Sequence, residues 1–388
     1  MRVLFTFVGG NGHFQPLVPI ARSAAAAGHT VAIAGSGSMV KAIETAGFPA
    51  YATEPAYDGV RPRLPLLEPD QERAEQEARE IFARSEARKH AEATYELGRE
   101  WMPDILVCDE MDFGSMIAAE RLGIPHASVL VLAAGSFLRK EIVGDALRVL
   151  RDEYGLPPDP ELEMLSRHLV LSPVPPSFRH PGFPLPATAR SIRPLATPPL
   201  PAARTRVPTV YFTLGTEFNT ESGDLYSRVL AGLSQLPITT VATVGEHIDP
   251  AELGPQPPNI RVHQYVPQDE ILPSCDLVVS HGGSGTVIGA LAHGVPSLLI
   301  PLGADQPHNA ERCAALGVGV VLNPVSATAE IVRTAASAML TDPRYGRAAE
   351  AIQRETATLP GPNPRYRYWS GQPRSEPASG PLAERRAY

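Results

Sequence analysis

The chain has 388 residues, a formal net charge of −8, and 43% hydrophobic residues. Its length suits two domains of ordinary size, and its negative charge argues against a nucleic-acid partner. No apolar run approaches the ~18 residues of a membrane span. No basic segment leads into an apolar stretch and cleavage site at the start, so a cytoplasmic protein without membrane contact is predicted.

The first segment predicts a parallel strand, a loop and a helix. The apolar run at residues 2–8 is typical of a buried strand, and a helical pattern follows at 16–27. The loop between them contains glycines, but the third glycine of a dinucleotide fingerprint would fall on Gln15. A nicotinamide oxidoreductase is therefore disfavoured.

His13 lies in this loop, which faces the ligand cleft in a doubly wound sheet. An imidazole titrates near neutral pH and can take a proton from a hydroxyl group. A loop histidine is equally often a surface or capping residue, so position alone leaves both interpretations open.

A later strand, at residues 104–108, is followed directly by Asp109. Glu110 and Asp112 come next and are alternative carboxylates for any role at this strand end. An Asp in this position is frequently a helix N-cap, and a helix is predicted at 113–121. Asp109 is preferred for a functional role because it directly ends the strand.

The remaining organisation follows from composition. Charged residues dominate 68–101, which predicts one or two long surface helices. Prolines crowd 172–208, a density that helices and central strands do not tolerate. Prolines and arginines without helical periodicity also fill the C-terminus. The predicted division is a domain at 1–190, a linker at 191–208, a domain at 209–358 and a disordered tail at 359–388.

The most informative stretch is DLVVSHGGSGTVIGALAHGVPSLLIPLGADQPHN, at residues 276–309. It predicts a strand, a glycine-rich turn, a helix that ends at Gly294, and a second strand at 297–300. Such βαβ units bind ligands in the loops at the carboxyl ends of their strands.

The turn favours a phosphate ligand. Its glycines permit close backbone approach, and the following helix presents unpaired N–H groups. His281, Ser284 and Thr286 add polar groups, while Asp305 and Gln306 in the next loop have the hydrogen-bonding capacity that sugar hydroxyls require. The turn is neither a Walker loop nor a dinucleotide fingerprint. The plain alternative is a glycine turn packed against its sheet.

SHGGSGT and HGVPSLLIPLGADQPHNAERC, with GHFQPLVPIARSAAAAGHTV near the N-terminus, resemble the inverting nucleotide-sugar glycosyltransferases of the GT-B fold. The resemblance is strongest to actinobacterial enzymes that glycosylate secondary metabolites, and it covers roughly residues 1–360. It implies an α/β protein with two Rossmann-like, doubly wound parallel-sheet domains facing a cleft. The acceptor would bind the first domain and the nucleotide sugar the second.

The resemblance also implies roles for individual residues. His13 would be the general base, and Asp109 would hold its imidazole. The implied donor-binding residues, which share positions in turns and loops facing the cleft, are Gly12, Thr216, Val266, Gln268, His281, Gly283, Ser284, Gly285, Thr286, Asp305 and Gln306.

The donor is expected to be a thymidine diphosphate (dTDP) deoxysugar. Relatives that use uridine donors commonly carry a Glu eight residues after the signature histidine to bind the ribose, and Gly289 stands there. The expected acceptor is a small apolar aglycone. A uridine diphosphate (UDP) sugar transferase and a nucleotide-sugar 2-epimerase are the alternatives, and an inactive auxiliary homologue is a further one. Long first-domain insertions disfavour the epimerase, and the His13–Asp109 pair disfavours the inactive homologue.

No cofactor beyond the nucleotide sugar is expected, and no metal, because no paired-carboxylate motif is found near the cleft. The cysteines Cys108, Cys275 and Cys313 are scattered, so reduced thiols are predicted rather than a disulfide framework or a zinc site. A homodimer is one candidate assembly.

Overall fold

The computed structural model describes residues 1–57, 59, 62–194 and 207–362. The N-terminal part contains seven parallel strands: β1 Arg2–Thr6, β2 Thr30–Ser36, β3 Ala50–Glu54, β4 Ile105–Asp109, β5 His126–Val129, β6 Leu169–Ser172 and β7 Ala189–Ser191. They form one sheet in the order β3-β2-β1-β4-β5-β6-β7. The strand order reverses between β1 and β4, which is where open parallel sheets bind ligands.

Helices cover both faces of this sheet: α1 Asn11–Phe14, α2 Val18–Ala26, α3 Val40–Thr45, α4 Gln71–Glu77, α5 Ala87–Trp101, α6 Phe113–Leu122 and α7 Lys140–Glu153. A π-helical segment, Ala78–Glu86, joins α4 to α5, so 71–101 is continuously helical as the charge pattern predicted. The core beneath these helices is apolar and includes Phe5, Leu106 and Ile117, which have no exposed surface.

The C-terminal part contains six parallel strands: β8 Thr209–Thr213, β9 Thr239–Thr243, β10 Ile260–His263, β11 Leu277–Ser280, β12 Ser297–Leu299 and β13 Gly319–Val321. Their order is β10-β9-β8-β11-β12-β13, with a reversal between β8 and β11. The accompanying helices are α8 Leu225–Leu233, α9 Gln268–Ile271, α10 Ser284–Ala292, α11 Gln306–Ala315, α12 Ala329–Thr341 and α13 Pro343–Thr358. The predicted fold class, two doubly wound parallel-sheet domains, is confirmed.

Several local expectations were wrong. His13 lies on the single turn of α1 rather than in an open loop, and α10 begins at Ser284, so the hydroxyls of the glycine turn belong to its first turn. Strand β7 lies inside the proline-rich region. A three-residue strand at a sheet edge tolerates neighbouring prolines because it pairs on one side only. Most of the predicted linker, residues 195–206, lies outside the described residues.

The two halves are bonded to each other. Arg312 on α11 donates to the carbonyl oxygens of Phe178 (3.0 Å) and Ser177 (2.8 Å). The chain past α13 also returns to the first sheet, because Arg193 N donates to the Pro360 carbonyl at 2.8 Å. The expectation of a disordered tail from 359 onwards was therefore wrong for residues 359–362, since a backbone hydrogen bond requires no apolar periodicity. Residues 363–388 lie outside the described part.

Among the described residues, no helix has both the length and the apolar character needed to cross a bilayer.

Candidate active site

A histidine and an aspartate meet where the first sheet reverses. His13 follows β1 and Asp109 ends the neighbouring β4, and Nδ1 of His13 lies 3.3 Å from Oδ1 of Asp109. The His13 side chain is 21% exposed, while Asp109 has no exposed surface. Nδ1 is thus turned to a buried carboxylate, which leaves Nε2 for a ligand.

The surroundings of His13 favour its protonated form. Burial lowers the pKa of the imidazole. The nearby carboxylate of Asp109, together with those of Asp305 and Glu110, raises the pKa by more than burial lowers it. The net pKa is above the ordinary value. The ring of Phe82, in the π-helical segment, lies nearly parallel to the imidazole at 6.1 Å between ring centroids.

Asp109 is held rigidly by backbone groups. Its Oδ2 accepts a hydrogen bond from Val8 N at 2.8 Å, and its Oδ1 accepts one from Met111 N at 2.6 Å. These two bonds fix the orientation of the buried carboxylate. The choice of Asp109 over its neighbours as the partner of His13 agrees with this geometry.

The other two carboxylates are occupied elsewhere. Asp112 caps the N-terminus of α6 by accepting a bond from Ser115 N at 3.0 Å, so it fills the capping role considered for Asp109. Glu110 accepts bonds from Val131 N and Leu132 N, both at 2.6 Å.

On the second sheet, an imidazole lies between two glycine turns. Gly215 follows β8 and Gly283 follows β11. A Cβ at Gly215 would lie 2.6 Å from the His281 ring, and a Cβ at Gly283 would lie 2.5 Å from it. Both positions therefore require glycine while the ring stays in place. Burial lowers the pKa of His281 to about 4, although a bond with the backbone of Thr213 opposes that shift. The ring is neutral at physiological pH.

The N-terminus of α10 has the form of an anion site. Its N-cap, Gly283, has no side chain to cap the helix, and a Cβ at Gly285 would meet no atom within 4 Å. The first-turn N–H groups are thus unblocked by side chains, as phosphate recognition requires.

A hydrogen-bond network links this helix to the first domain. Ser284 Oγ donates to Asp305 Oδ2 at 2.6 Å and accepts from Ala133 N at 2.7 Å. Asn309 Nδ2 donates to the same Asp305 oxygen at 2.8 Å, and Asn309 Oδ1 accepts from Ala134 N at 3.1 Å. Two predicted donor-binding residues, Ser284 and Asp305, are therefore bonded to each other, and Ser284 and Asn309 bond with the first domain.

Gln306 is partly committed to its own loop. Its Oε1 accepts bonds from Leu302 N (2.8 Å) and Gly303 N (3.2 Å), and the residue is 2% exposed. Its amide NH₂ takes no part in these two bonds. Burial raises the pKa of Asp305, which precedes it, against the bonds from Ser284 and Asn309.

Gln268 lies beside α10. Its Nε2 donates to Thr286 Oγ1 at 3.0 Å, and a Cβ at Gly289 would lie 3.2 Å from its Oε1. A larger side chain at Gly289 would therefore displace Gln268. Val266 packs against an apolar cluster that includes Ile271.

The remaining predicted residues are less constrained. Thr216 is half-buried in the turn after β8, and Gly12 is exposed on the helix that carries His13.

The sequence interpretation missed two residues of the site. Asn309 bonds with Asp305, four residues earlier on α11, and this i, i+4 spacing was the available signal. Phe82 comes from a helical segment far from His13 in the chain, and no local pattern marks it.

Two parallel-sheet domains that place a His–Asp pair opposite a glycine turn have the architecture of a GT-B glycosyltransferase. A family model described as Erythromycin biosynthesis protein CIII-like, C-terminal domain, matches residues 227–365. The chain is 30% identical to 10-deoxymethynolide desosaminyltransferase of Streptomyces venezuelae, over 93% of this chain and 95% of that protein.

The comparison with solved structures also indicates a glycosyltransferase. Glycosyltransferase VinC in complex with dTDP has a TM-score of 0.68 and 28% identity, over 93% of this chain and 96% of that one. Glycosyltransferase SsfS6 of Streptomyces sp. SF2575, complexed with thymidine diphosphate, has a TM-score of 0.72 and 26% identity, over 93% of this chain and 97% of that one. The chain belongs to the family of GT-B antibiotic glycosyltransferases, enzymes that glycosylate secondary metabolites.

Proposed function

We propose that the enzyme transfers a deoxysugar from a dTDP donor to a hydroxyl group of a small apolar aglycone, with inversion at the anomeric carbon. The observation that carries the proposal is the His13–Asp109 pair, 3.3 Å apart, on the domain that faces the α10 anion site. We assign acceptor binding to residues 1–190 and donor binding to 209–358.

In the proposed reaction, Nε2 of His13 takes the proton of the acceptor hydroxyl as its oxygen attacks the anomeric carbon. The bond from that carbon to the diphosphate oxygen breaks, and its electron pair leaves with the diphosphate. Asp109 stabilises the imidazolium that forms. Attack opposite to the leaving group inverts the configuration.

The negative charge that develops on the diphosphate would be met by the N-terminus of α10. The backbone N–H groups of Ser284, Gly285 and Thr286 are the proposed donors, since no side chain caps this helix. His281 would line the diphosphate as a neutral ring, because its pKa is lowered to about 4, and its single N–H would donate either to the diphosphate or to the backbone of Thr213. This arrangement supports transfer without a metal or a cofactor beyond the nucleotide sugar.

Two observations support thymidine over uridine nucleotides. The position where a ribose-binding Glu is expected is Gly289, and Gln268 and Leu272 each lie 3.2 Å from the Cβ that any larger residue would carry there. The solved structures of VinC and SsfS6 are also complexes with thymidine diphosphate. A deoxyribose has no 2′-hydroxyl to leave unpaired at this position.

We expect dTDP to bind more tightly than UDP by about 0.5–1.5 kcal/mol, the net value of one hydrogen bond. A competition titration measures the difference. Transfer assays, read by mass, with dTDP-linked and UDP-linked sugars on a panel of apolar aglycones then test the reaction, with and without a chelator. Preference for UDP donors, or retained anomeric configuration in the product, would overturn the proposal, and sugar isomerisation without acceptor would favour the epimerase.

A second prediction concerns Asp305. Asp305→Ala is expected to weaken binding of a dTDP-sugar by about 1–3 kcal/mol and binding of dTDP itself less, because the sugar loses its carboxylate whereas dTDP is affected only through the bonds that Asp305 accepts from Ser284 and Asn309. Calorimetry with both ligands measures the two losses. Gln306→Ala is the contrasting variant: it removes the acceptor of two loop N–H groups and should weaken both ligands and lower Tm. An equal loss for both ligands in Asp305→Ala would assign Asp305 to the nucleotide.

A further inference from the structure

A second histidine–carboxylate pair lies beneath the first. Nδ1 of His90, on α5, is 3.2 Å from Oδ1 of Asp112, and the two side chains are 1% and 0% exposed. On its other side, His90 Nε2 lies 3.2 Å from Thr53 Oγ1 of β3. Because α5 and α6 cross closely at Gly114, where a Cβ would lie 2.7 Å from His90 Cβ, the pair is enclosed between the helices and the sheet.

The carboxylates of the two pairs belong to one short turn of the chain. Asp112 N donates to the Asp109 carbonyl at 3.1 Å, so the two buried carboxylates follow each other within a single turn. A buried carboxylate without a counter-charge is costly, and two together act on any nearby imidazole. If the charge of Asp112 were uncompensated, it would add to that of Asp109 in stabilising the protonated form of His13.

We propose that His90 is a positioning residue for the reaction: it neutralises Asp112 so that Asp109 acts as the main anion on His13. His13 then loses its proton, and becomes available as the general base, at a lower pH than it would beside two uncompensated carboxylates. This inference rests on the proposed role of His13 as base.

The other charged groups do not supply this compensation. Around His90, Lys89 lies 2.8 Å from Glu86 and 3.6 Å from Glu54, so these three side chains pair with one another at the surface. Burial raises the pKa of the Cys108 thiol well above its ordinary value, which keeps it neutral beside Asp112.

Around His13, the carboxylates are Asp109, Glu110 and Asp305. Arg179 lowers the pKa of Glu110, whose burial raises it. The pKa of His90 is itself raised: burial lowers it, and Asp112, together with Asp109 and Glu86, raises it by more. This direction agrees with His90 as the cation of the pair.

The test compares three variants by their profiles of kcat/KM against pH. His90→Gln should move the acid limb upward by about 0.5–1 pH unit, so that activity at low pH falls about 3–10-fold more than at high pH. Asp112→Asn should leave the limb within about 0.3 unit of its wild-type position, because it removes the carboxylate that needed compensation. The double variant His90→Gln/Asp112→Asn should return the limb to its wild-type position.

A merely structural role predicts a different result. If His90→Gln loses rate equally at every pH, or if the double variant fails to restore the limb, the proposal is wrong. Thr53→Val serves if His90→Gln does not fold, since it removes the partner of Nε2 and should move the limb in the same direction by less. An NMR titration of the His13 ring follows its ionisation directly. If the titration of the His13 ring shifts in His90→Gln but the wild-type activity has no acid limb, His13 is not the base. If the titration of the ring does not shift in His90→Gln, the proposed role of His90 is refuted.

Discussion

His13→Ala is expected to lower kcat by about 10²–10⁴-fold, the usual share of general base catalysis, while binding of the dTDP donor stays nearly unchanged. The variant removes the imidazole that would face the acceptor but touches no proposed donor contact. Steady-state kinetics and donor calorimetry on the same preparations measure the two effects. His29→Ala is the matched control, because His29 lies beyond α2 against the N-terminus, where its ring is 3.4 Å from Met1 N. Wild-type turnover by His13→Ala would remove this residue from the mechanism.

The same histidine predicts the direction of the pH dependence. The pKa of His13 is raised because Asp109, Asp305 and Glu110 outweigh the lowering caused by burial. Since the base must be unprotonated, kcat/KM should rise with pH across a limb centred above the ordinary value of about 6.5. The raised pKa also affects folding. Protonation of His13 stabilises the folded state below the unfolded-state pKa, and this stabilisation is lost as pH rises through the folded-state pKa. An acid limb centred well below 6.5 would contradict the assignment.

Asp109→Asn should lower kcat by about 10²–10⁴-fold, because an asparagine neither stabilises the imidazolium nor selects the productive tautomer. The change also has a structural consequence. Asp109 accepts from Val8 N and Met111 N through different oxygens, and an amide offers only one oxygen. One buried N–H group then faces an NH₂, which should reduce the free energy of unfolding by about 1–3 kcal/mol.

Asp112→Asn separates catalysis from folding. Asparagine is a good N-cap residue and can still accept the bond from Ser115 N, so kcat should stay within a few-fold of wild type. Kinetics on both variants, with Tm measured for each, decides between the carboxylates. A severe loss for Asp112→Asn at unchanged Tm, with near-normal turnover for Asp109→Asn, would reverse the assignment.

The sequence by itself determined the two parallel sheets and the positions of the main motifs. Apolar runs that end in glycine turns mark β1 and β11, because buried parallel strands are continuously apolar. Short or peripheral strands carry too little of this signal, so β3, β6, β7 and β13 were not predicted. A helix after the glycine turn was anticipated from its glycines and its C-terminal Gly294, which are local features, although it begins at Ser284, inside the predicted turn.

Only the tertiary structure decided how the polar groups are shared. Asp109 and Asp112 have similar sequence surroundings, yet one lies beside His13 and the other beside His90. Ser284 bonds with Ala133, 151 residues away. These outcomes depend on which buried group can reach a partner once the sheets and domains have packed, and desolvation makes that choice energetically decisive. Because such partners are distant in the chain, no local pattern of residues determines them.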